Sequence, residues 1–255
     1  MIYLRSDKEI AEIEKACKIV AEIQEELKKI IKPGITTNYL NESAEREAVK
    51  KKVKLAFKGY RGFPEGICTS VNDEVVHGIP SSRILKAGDI ISIDIGILNN
   101  GYYGDGAFTV GVDGISSVAD LLMRVTEKAL YCGIDEARVG NRLSNISHAI
   151  QKHVESDGFS VVRDLVGHGI GRNLHEEPQI PNFGPPNRGP RLREGMVMAI
   201  EPMVASGDWK VKILNNGWTV ATEDHSLSAH FEHTLVITTR GPQILTKLNT
   251  RRKNA

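Results

Sequence analysis

Ile90-Ile-Ser-Ile-Asp-Ile-Gly-Ile97, with Tyr102-Tyr-Gly-Asp105 just beyond it, is the stretch on which the reading of this chain turns. As a strand of period two it sends Ile91, Ile93, Ile95 and Ile97 to one face and Ser92, Asp94 and Gly96 to the other. A buried carboxylate without a partner costs several kcal/mol or is neutralised, so Asp94 needs a salt bridge, hydrogen bonds or a cation. Gly96 leaves space beside it, and Asp105 lies within one loop of it. Two like charges brought together favour a divalent ion over a single Lys or Arg, with a structural ion pair as the alternative.

Working outward, the segment has an echo. Leu85-Lys-Ala-Gly88-Asp-Ile-Ile-Ser-Ile-Asp94 aligns without gaps on Leu192-Arg-Glu-Gly195-Met-Val-Met-Ala-Ile-Glu201, and each follows a His-Gly-Ile, at His77 and at His168. Two matches in the same order suggest a duplicated unit. If the halves pack about a pseudo-twofold axis, Asp94 faces Glu201 and His77 faces His168. Each half adds a further carboxylate downstream, Asp105 and Glu232. Four carboxylates in one pocket cannot all ionise at neutral pH without cations, and carboxylate mixed with imidazole suits Mn, Fe, Co or Zn better than Ca. Two ions sharing bridging carboxylates suit a hydrolysis. The alternative leaves Asp105, Glu201 and Glu232 as surface charges.

The flanks read as ordinary packing. Ser6 and Glu9 have capping-box spacing ahead of an apolar stripe, Ile10, Ile13, Cys17, Val20, Leu27 and Ile31, which ends at Lys32-Pro33-Gly34. Thr37 caps a second helix to about Lys51 that carries Leu40, Ala44 and Val49 inward. Ile67–Val71 reads as a strand, and Val75-Val-His77 ends another. Ala107–Val110 returns as hairpin partner to the Asp94 strand. Helices follow at about Val118–Tyr131 and Asn141–Ser156, with His148 and His153 on the surface of the second. Val161–Val166 reads as a strand, as do Met196–Glu201, Trp209–Ile213, Thr219–Thr222 and Ala229–Ile237. No linker or composition break divides the 255 residues, so 1–255 is expected as a single domain with halves at about 1–135 and 136–250.

Composition excludes several classes. The 33 basic and 32 acidic residues nearly cancel, so neither nucleic acid nor an anionic membrane is expected as a bulk partner. Three cysteines, Cys17, Cys68 and Cys132, at unrelated spacings argue against a disulfide framework and for a reducing cytoplasm. No apolar run approaches the roughly 18 residues of a membrane span, and no signal pattern opens the chain.

Val76-His77-Gly78-Ile79-Pro80, Asp94, Tyr103-Gly104-Asp105, Gly167-His168-Gly169-Ile170-Gly171, His175-Glu176-Glu177-Pro178, Ile200-Glu201-Pro202 and Phe231-Glu232-His233-Thr234 together resemble the motifs of type I methionine aminopeptidase, over about Ser6 to Leu248. The resemblance implies an α+β pita-bread fold, two pseudo-twofold-related αβ halves with a curved antiparallel sheet around a dinuclear metal site. It implies removal of the initiator methionine from nascent polypeptides with a small second residue. The implied ligands are Asp94, Asp105, His168, Glu201 and Glu232, which parity and the echo also select, apart from His77. On this reading Asp105 and Glu232 bridge two divalent ions, a bridging hydroxide attacks, and Glu201 also shuttles the proton. His175 donates to the scissile carbonyl, and His77 hydrogen-bonds the residue after methionine.

By the same resemblance Tyr60, Phe63, Cys68 and Trp218 form the methionine pocket, where soft apolar walls suit a thioether. Asn72 and Ser228 match positions that help hold a monovalent cation. Leu174 stands where some relatives carry an aromatic, and Gly96, Gly106 and Ala107 are smaller than the hydroxyl-bearing residues often found near those aspartates. His225, His230 and His233 are expected to be structural, although His230 shares Glu232's strand face. The expected form is a monomer, and any ribosome contact would use the catalytic domain itself. Two other classes share the fold. A Xaa-Pro-specific peptidase usually carries a further N-terminal domain, whereas about fifty residues of helix precede the core here. A non-catalytic binding module typically loses ligands, whereas this chain keeps all five.

Overall fold

The structure is a computed structural model and describes residues 1–248. Helices α1 (Asp7–Ile30) and α2 (Thr37–Lys51) lead into strands β1 (Lys54–Leu55), β2 (Cys68–Val71), β3 (Glu74–Val76), β4 (Asp89–Asn99) and β5 (Tyr102–Val112). Helices α3 (Ser117–Glu136) and α4 (Ser144–Ser156) follow. The chain then runs through β6 (Ser160–Val161), β7 (Val166–Gly169), β8 (Glu176–Pro181), β9 (Val197–Ile200) and β10 (Met203–Ala205). Last come β11 (Val211–Ile213), β12 (Val220–Thr222), β13 (Ser228–His230), β14 (His233–Thr238) and β15 (Gly241–Ile244). The ladders run β1-β4-β2 with β5 on β4, β15-β14-β9-β7-β8, β13-β10-β6 and β11-β12-β3, and every pairing among the described residues is antiparallel.

Ser6 caps α1 as its spacing requires: its hydroxyl accepts from the Glu9 N–H and its own N–H donates to Glu9 Oε2 at 3.1 Å. The buried face of α1 lies across β4 and β5, where Ile91, Ile93, Ile95 and Ile97 are fully buried among Val20, Ile23, Leu27 and Leu40. The parity of the isoleucine strand therefore holds, and it turns Asp94 away from the helices. Helix and sheet meet most closely at Gly104, where a Cβ would stand 2.6 Å from the Cys17 amide nitrogen. On the second sheet α3 and α4 pack Leu122, Val125, Ile146 and Ile150 against Met198, Ile200 and Leu235. The echoed glycines match in conformation as well as in sequence: Gly88 and Gly195 are both left-handed, at φ +92° and +81°.

Several boundaries differ from the sequence reading. Thr36, not Thr37, caps α2, its hydroxyl accepting from the Tyr39 N–H at 3.1 Å. Val49 is 76% exposed and does not point inward, because the α2 stripe is carried by Leu40, Ala44 and Ala48. The partner of β4 begins at Tyr102 rather than Ala107, so Asp105 sits on that strand, opposite Gly96. Helix α4 starts at Ser144, since residues 142–144 hydrogen-bond across to the 188–191 segment. Val161–Val166 is not one strand: β6 and β7 join different ladders. Only Val211–Ile213 of the Trp209–Ile213 stretch is extended in a ladder.

One irregularity positions the site. Ile200 pairs with His233 in the β9/β14 ladder and Met203 pairs with His230 in β10/β13, but Glu201-Pro202 and Phe231-Glu232 fall between the two ladders. Pro202 has no N–H to continue the pairing. In that gap the Glu232 N–H donates instead to Ala107 O on β5 at 2.9 Å, which ties the first sheet to the second.

Candidate functional site

Asp94 and Asp105 are diagonal neighbours on one face of the β4/β5 ladder: Asp94 pairs with Ala107 and, on its other side, Cys68, while Asp105 pairs with Gly96. His168 comes from β7, Glu201 from the end of β9 and Glu232 from the residue before β14. His168 Nε2 lies 3.9 Å from Asp105 Oδ2 and 3.6 Å from Glu201 Oε1. Asp105, His168 and Glu232, all buried, offer ligand atoms within 4.8 Å of one another. The five carboxylate and imidazole groups selected from the sequence thus line one cavity of about 160 Å³, together with His77 and His175.

The chemistry of this donor set fits divalent cations. Asp94 Oδ1 and Glu232 Oε1 are buried without a hydrogen-bond partner. Burial first, and then the charge of Asp105, pushes Asp94, Glu201 and Glu232 well above the carboxylate range, and burial lifts Asp105 to about 7. Burial also lowers His168 to about 4, so its ring is neutral near pH 7. Its Nδ1 stands 2.9 Å from the Gly169 carbonyl, which can only accept, so the proton is on Nδ1 and the Nε2 lone pair faces the carboxylates.

His77 follows β3 in a left-handed conformation, φ +58°, uncommon for a residue with a side chain. It is held there because Gly78 docks on β2: Thr69 N–H donates to Gly78 O at 2.8 Å, and Gly78 N–H donates to Ser70 Oγ at 3.1 Å. His175 stacks on Tyr60, with Nδ1 2.9 Å from the Tyr60 hydroxyl, and its ring lies 4.3 Å from that of His168. Burial holds both His77 and His175 below the usual imidazole range, His168 and Arg61 adding to the effect at His175.

Apolar side chains line the same cavity. Tyr60, Phe63, Cys68 and Trp218 all line it, Phe63 and Trp218 edge to face at 5.3 Å between centroids. Burial, then Asp94, raises the Cys68 thiol well above its ordinary value, so it stays protonated and acts as an apolar wall. Leu174 also lines the cavity, as do Phe57 and Arg61, which the sequence does not assign to it. The missed signal was Gly96. Its apparent spare room is filled by Phe57, whose Cε1 would lie 2.7 Å from a Cβ there.

The structure brings Asn72 and Ser228 together, Ser228 N–H donating to Asn72 O at 2.8 Å. Both side chains are already engaged, Asn72 with Asp89 and the Ile90 N–H, Ser228 with Val204 O. His148, His153, His225 and His233 stand outside the cavity. His230 is different: it is 1% exposed, its Nε2 has no hydrogen-bond partner, and it lies 3.7 Å from Glu201 Oε2. A larger groove of about 690 Å³ opens between α1, β5 and α3 and contains none of these residues apart from His233 on its rim.

The loop that carries His175 is anchored from far away in sequence. Arg5, ahead of α1, pairs with Glu176, the two side chains 5% and 4% exposed, and Glu176 Oε1 accepts from the Arg172 and Asn173 N–H groups. Arg5→Met would leave a buried carboxylate unpaired, with an expected loss of about 3–5 kcal/mol of stability, read from urea unfolding. A loss under about 1 kcal/mol would mean that water solvates Glu176 and the pair is not the anchor.

The family model for metallopeptidase family M24 matches residues 11–239. The chain belongs to that family. Among its relatives, methionine aminopeptidase 1 of Bacillus subtilis is 56% identical over 97% of this chain and 100% of its own length. Methionine aminopeptidase of Clostridium perfringens is 52% identical over 96% of this chain and 99% of its own. The crystal structure of methionine aminopeptidase from Thermotoga maritima superimposes with a TM-score of 0.96 at 48% identity, covering 97% of this chain and all of the other. A Xaa-Pro dipeptidase from Bacillus anthracis has the same fold, with a TM-score of 0.77 at 19% identity, and this chain spans 62% of it. The architecture is accordingly the α+β pita-bread fold of the M24 family.

Proposed function

We propose that this chain removes the N-terminal methionine from nascent polypeptides whose second residue is small, with Asp94, Asp105, His168, Glu201 and Glu232 holding two divalent ions. One observation carries the reading. One cavity of about 160 Å³ is lined both by the carboxylate and imidazole cluster and by an apolar sleeve of Phe57, Tyr60, Phe63, Cys68 and Trp218. The names and identities of the relatives support it. Ions of the Mn, Fe, Co or Zn type, when bound, would act as Lewis acids and lower the pKa of water.

The chain's own groups do the rest. The sleeve takes the thioether and excludes water from it. The substrate's α-amine lies toward Asp94, which confines cleavage to the terminus. Tyr60 O–H donates to His175 Nδ1, leaving Nε2–H free to donate to the carbonyl oxygen as charge develops. His77, fixed by its backbone, hydrogen-bonds the residue after methionine, and Glu201 moves the proton to the departing amine. His77→Ala and His175→Ala should each lower kcat by roughly one to four decades while metal content stays intact. Loss of metal from either variant, measured by elemental analysis, would make that histidine a ligand instead.

We read residues 1–255 as one catalytic unit built from halves at about 1–135 and 136–250, monomeric and cytoplasmic. The three cysteines are unpaired, and no helix among the described residues is long and apolar enough to cross a membrane. A monovalent cation near Asn72 and Ser228 belongs to the same proposal on the motif resemblance, and backbone carbonyl groups would hold it, since both side chains are engaged. The deciding assay is release of free methionine from Met-Ala-Ser after addition of Mn or Co. Cleavage of a Xaa-Pro dipeptide in its place would assign the proline-specific activity, and silence with every transition ion would reduce the chain to a binding module.

A further inference from the structure

His230 is a buried polar group that the proposed reaction does not use. It ends β13, and Thr109 of β5 fixes its backbone on both sides: His230 N–H donates to Thr109 Oγ1 at 2.9 Å, and Thr109 Oγ1 donates to His230 O at 2.7 Å. Thr109 Oγ1 in turn lies 2.8 Å from Ser92 Oγ on the Asp94 strand. The imidazole is therefore built into the join between the two sheets, with no freedom to swing to solvent. Its Nε2 has no hydrogen-bond partner in the protein, and the nearest carboxylate oxygen facing it is Glu201 Oε2 at 3.7 Å. Glu201's other oxygen, Oε1, faces His168 Nε2 at 3.6 Å, on the side of the clustered ligand atoms. The two oxygens of one carboxylate thus look at two imidazoles, only one of which belongs to the five selected ligands.

We infer that His230 is a positioning residue for Glu201: its Nε2–H holds Oε2 and so presents Oε1 to the bound ion. The inference rests on Glu201 being a ligand, as proposed above. A glutamate carboxylate with one oxygen tied down is presented to a cation at lower entropic cost, and a hydrogen bond from an outer group also fixes which oxygen ligates. His230 does not join the Asp105, His168 and Glu232 cluster itself, so an outer role fits its place better than direct coordination.

The test is manganese binding to metal-free protein by titration calorimetry, alongside thermal unfolding of the same metal-free samples. His230→Leu fills the space without a donor and should bind manganese about 10–100-fold more weakly than the parent, as loss of an outer-shell partner does elsewhere. His230→Gln retains an N–H at similar reach and should bind within about threefold of the parent, with unchanged stoichiometry. If the leucine variant does not fold, His230→Asn, with the same amide one methylene shorter, takes its place and should bind as weakly. Parental affinity in the leucine or asparagine variant would overturn the inference. So would a glutamine variant as weak as leucine, or one that loses a whole equivalent of metal, which would make His230 a ligand. Glu201→Gln separates the two layers: parental manganese affinity there would remove Glu201 from the ligand set, whatever His230 does.

Discussion

Asp105→Asn is expected to lower methionine release from Met-Ala-Ser by four decades or more while the metal-free protein unfolds at the same temperature or higher. Asp105 is 3% exposed, lies diagonal to Asp94 and faces His168, so a change there reaches both ends of the cluster. Asparagine keeps the shape, and its carbonyl still accepts the Gly106 N–H that donates to Asp105 Oδ1 at 3.0 Å. What it loses is a negative charge that would offset the bound cations, and removing one member of a unit that acts together costs nearly the whole rate advantage. In the metal-free protein the same change relieves repulsion among four buried carboxylates, so stability should rise as activity falls. A variant with more than about a hundredth of parental activity at saturating manganese would remove Asp105 from the proposed ligand set.

The metal-free protein should lose stability as the pH rises from 6.5 to 8.5, and the stabilisation by added manganese should grow over the same range. Asp94, Asp105, Glu201 and Glu232 all have raised pKa values in the folded state, so folding takes up protons above the unfolded carboxylate range, and stability falls as pH climbs toward the folded values. Asp105 alone, at about 7 against an ordinary 3.8, costs on the order of 4 kcal/mol once ionised. His168 and His230 are lowered, to about 4 and about 3, so their contribution is complete above 6.5 and lost only as pH falls below it. Above pH 6.5 the carboxylates therefore act alone, and cations bound among them cancel their penalty. At a thousandfold excess over Kd a single ion adds ~4 kcal/mol, or roughly 8–16 °C in Tm for a chain of this size. Calorimetric scans of metal-free and manganese-loaded protein at pH 6.5 and 8.5 provide the check. Equal shifts at both would mean that the four carboxylates do not share one charge problem.

How legible this was in the sequence depended on how far each signal reached. The period-two run from Ile90 to Ile97 set the face of Asp94, and the alignment of Leu85–Asp94 with Leu192–Glu201 matched Asp94 to Glu201, because alternation and repetition are local or self-referential. The alternation holds in the structure, Asp94 and Glu201 line one cavity, and Gly88 and Gly195 are both left-handed. The motif resemblance supplied His175 and the pocket residues, which periodicity does not select. Helix ends were blurred, as at Thr36 and Ser144, where the cap or a cross-chain hydrogen bond decides the first turn. The returning strand reads from the sequence as starting at Ala107, beyond Asp105; in the fold it starts at Tyr102, and Gly104 is small so that α1 can lie against β5 at Cys17.

The sequence by itself determined which face of the central strand is polar, which acidic residues belong together and the family to which the motifs point. Only the tertiary structure decided that Phe57 fills the space above Gly96, that Arg5 anchors the loop of His175 and that His230 faces Glu201. These contacts join positions 39, 171 and 29 residues apart without any periodic or motif signal, so they exist only once both sheets and α1 have packed. A ladder break at Pro202 and a capped helix are written in single residues, whereas a buried partner is chosen by whatever the rest of the chain places beside it.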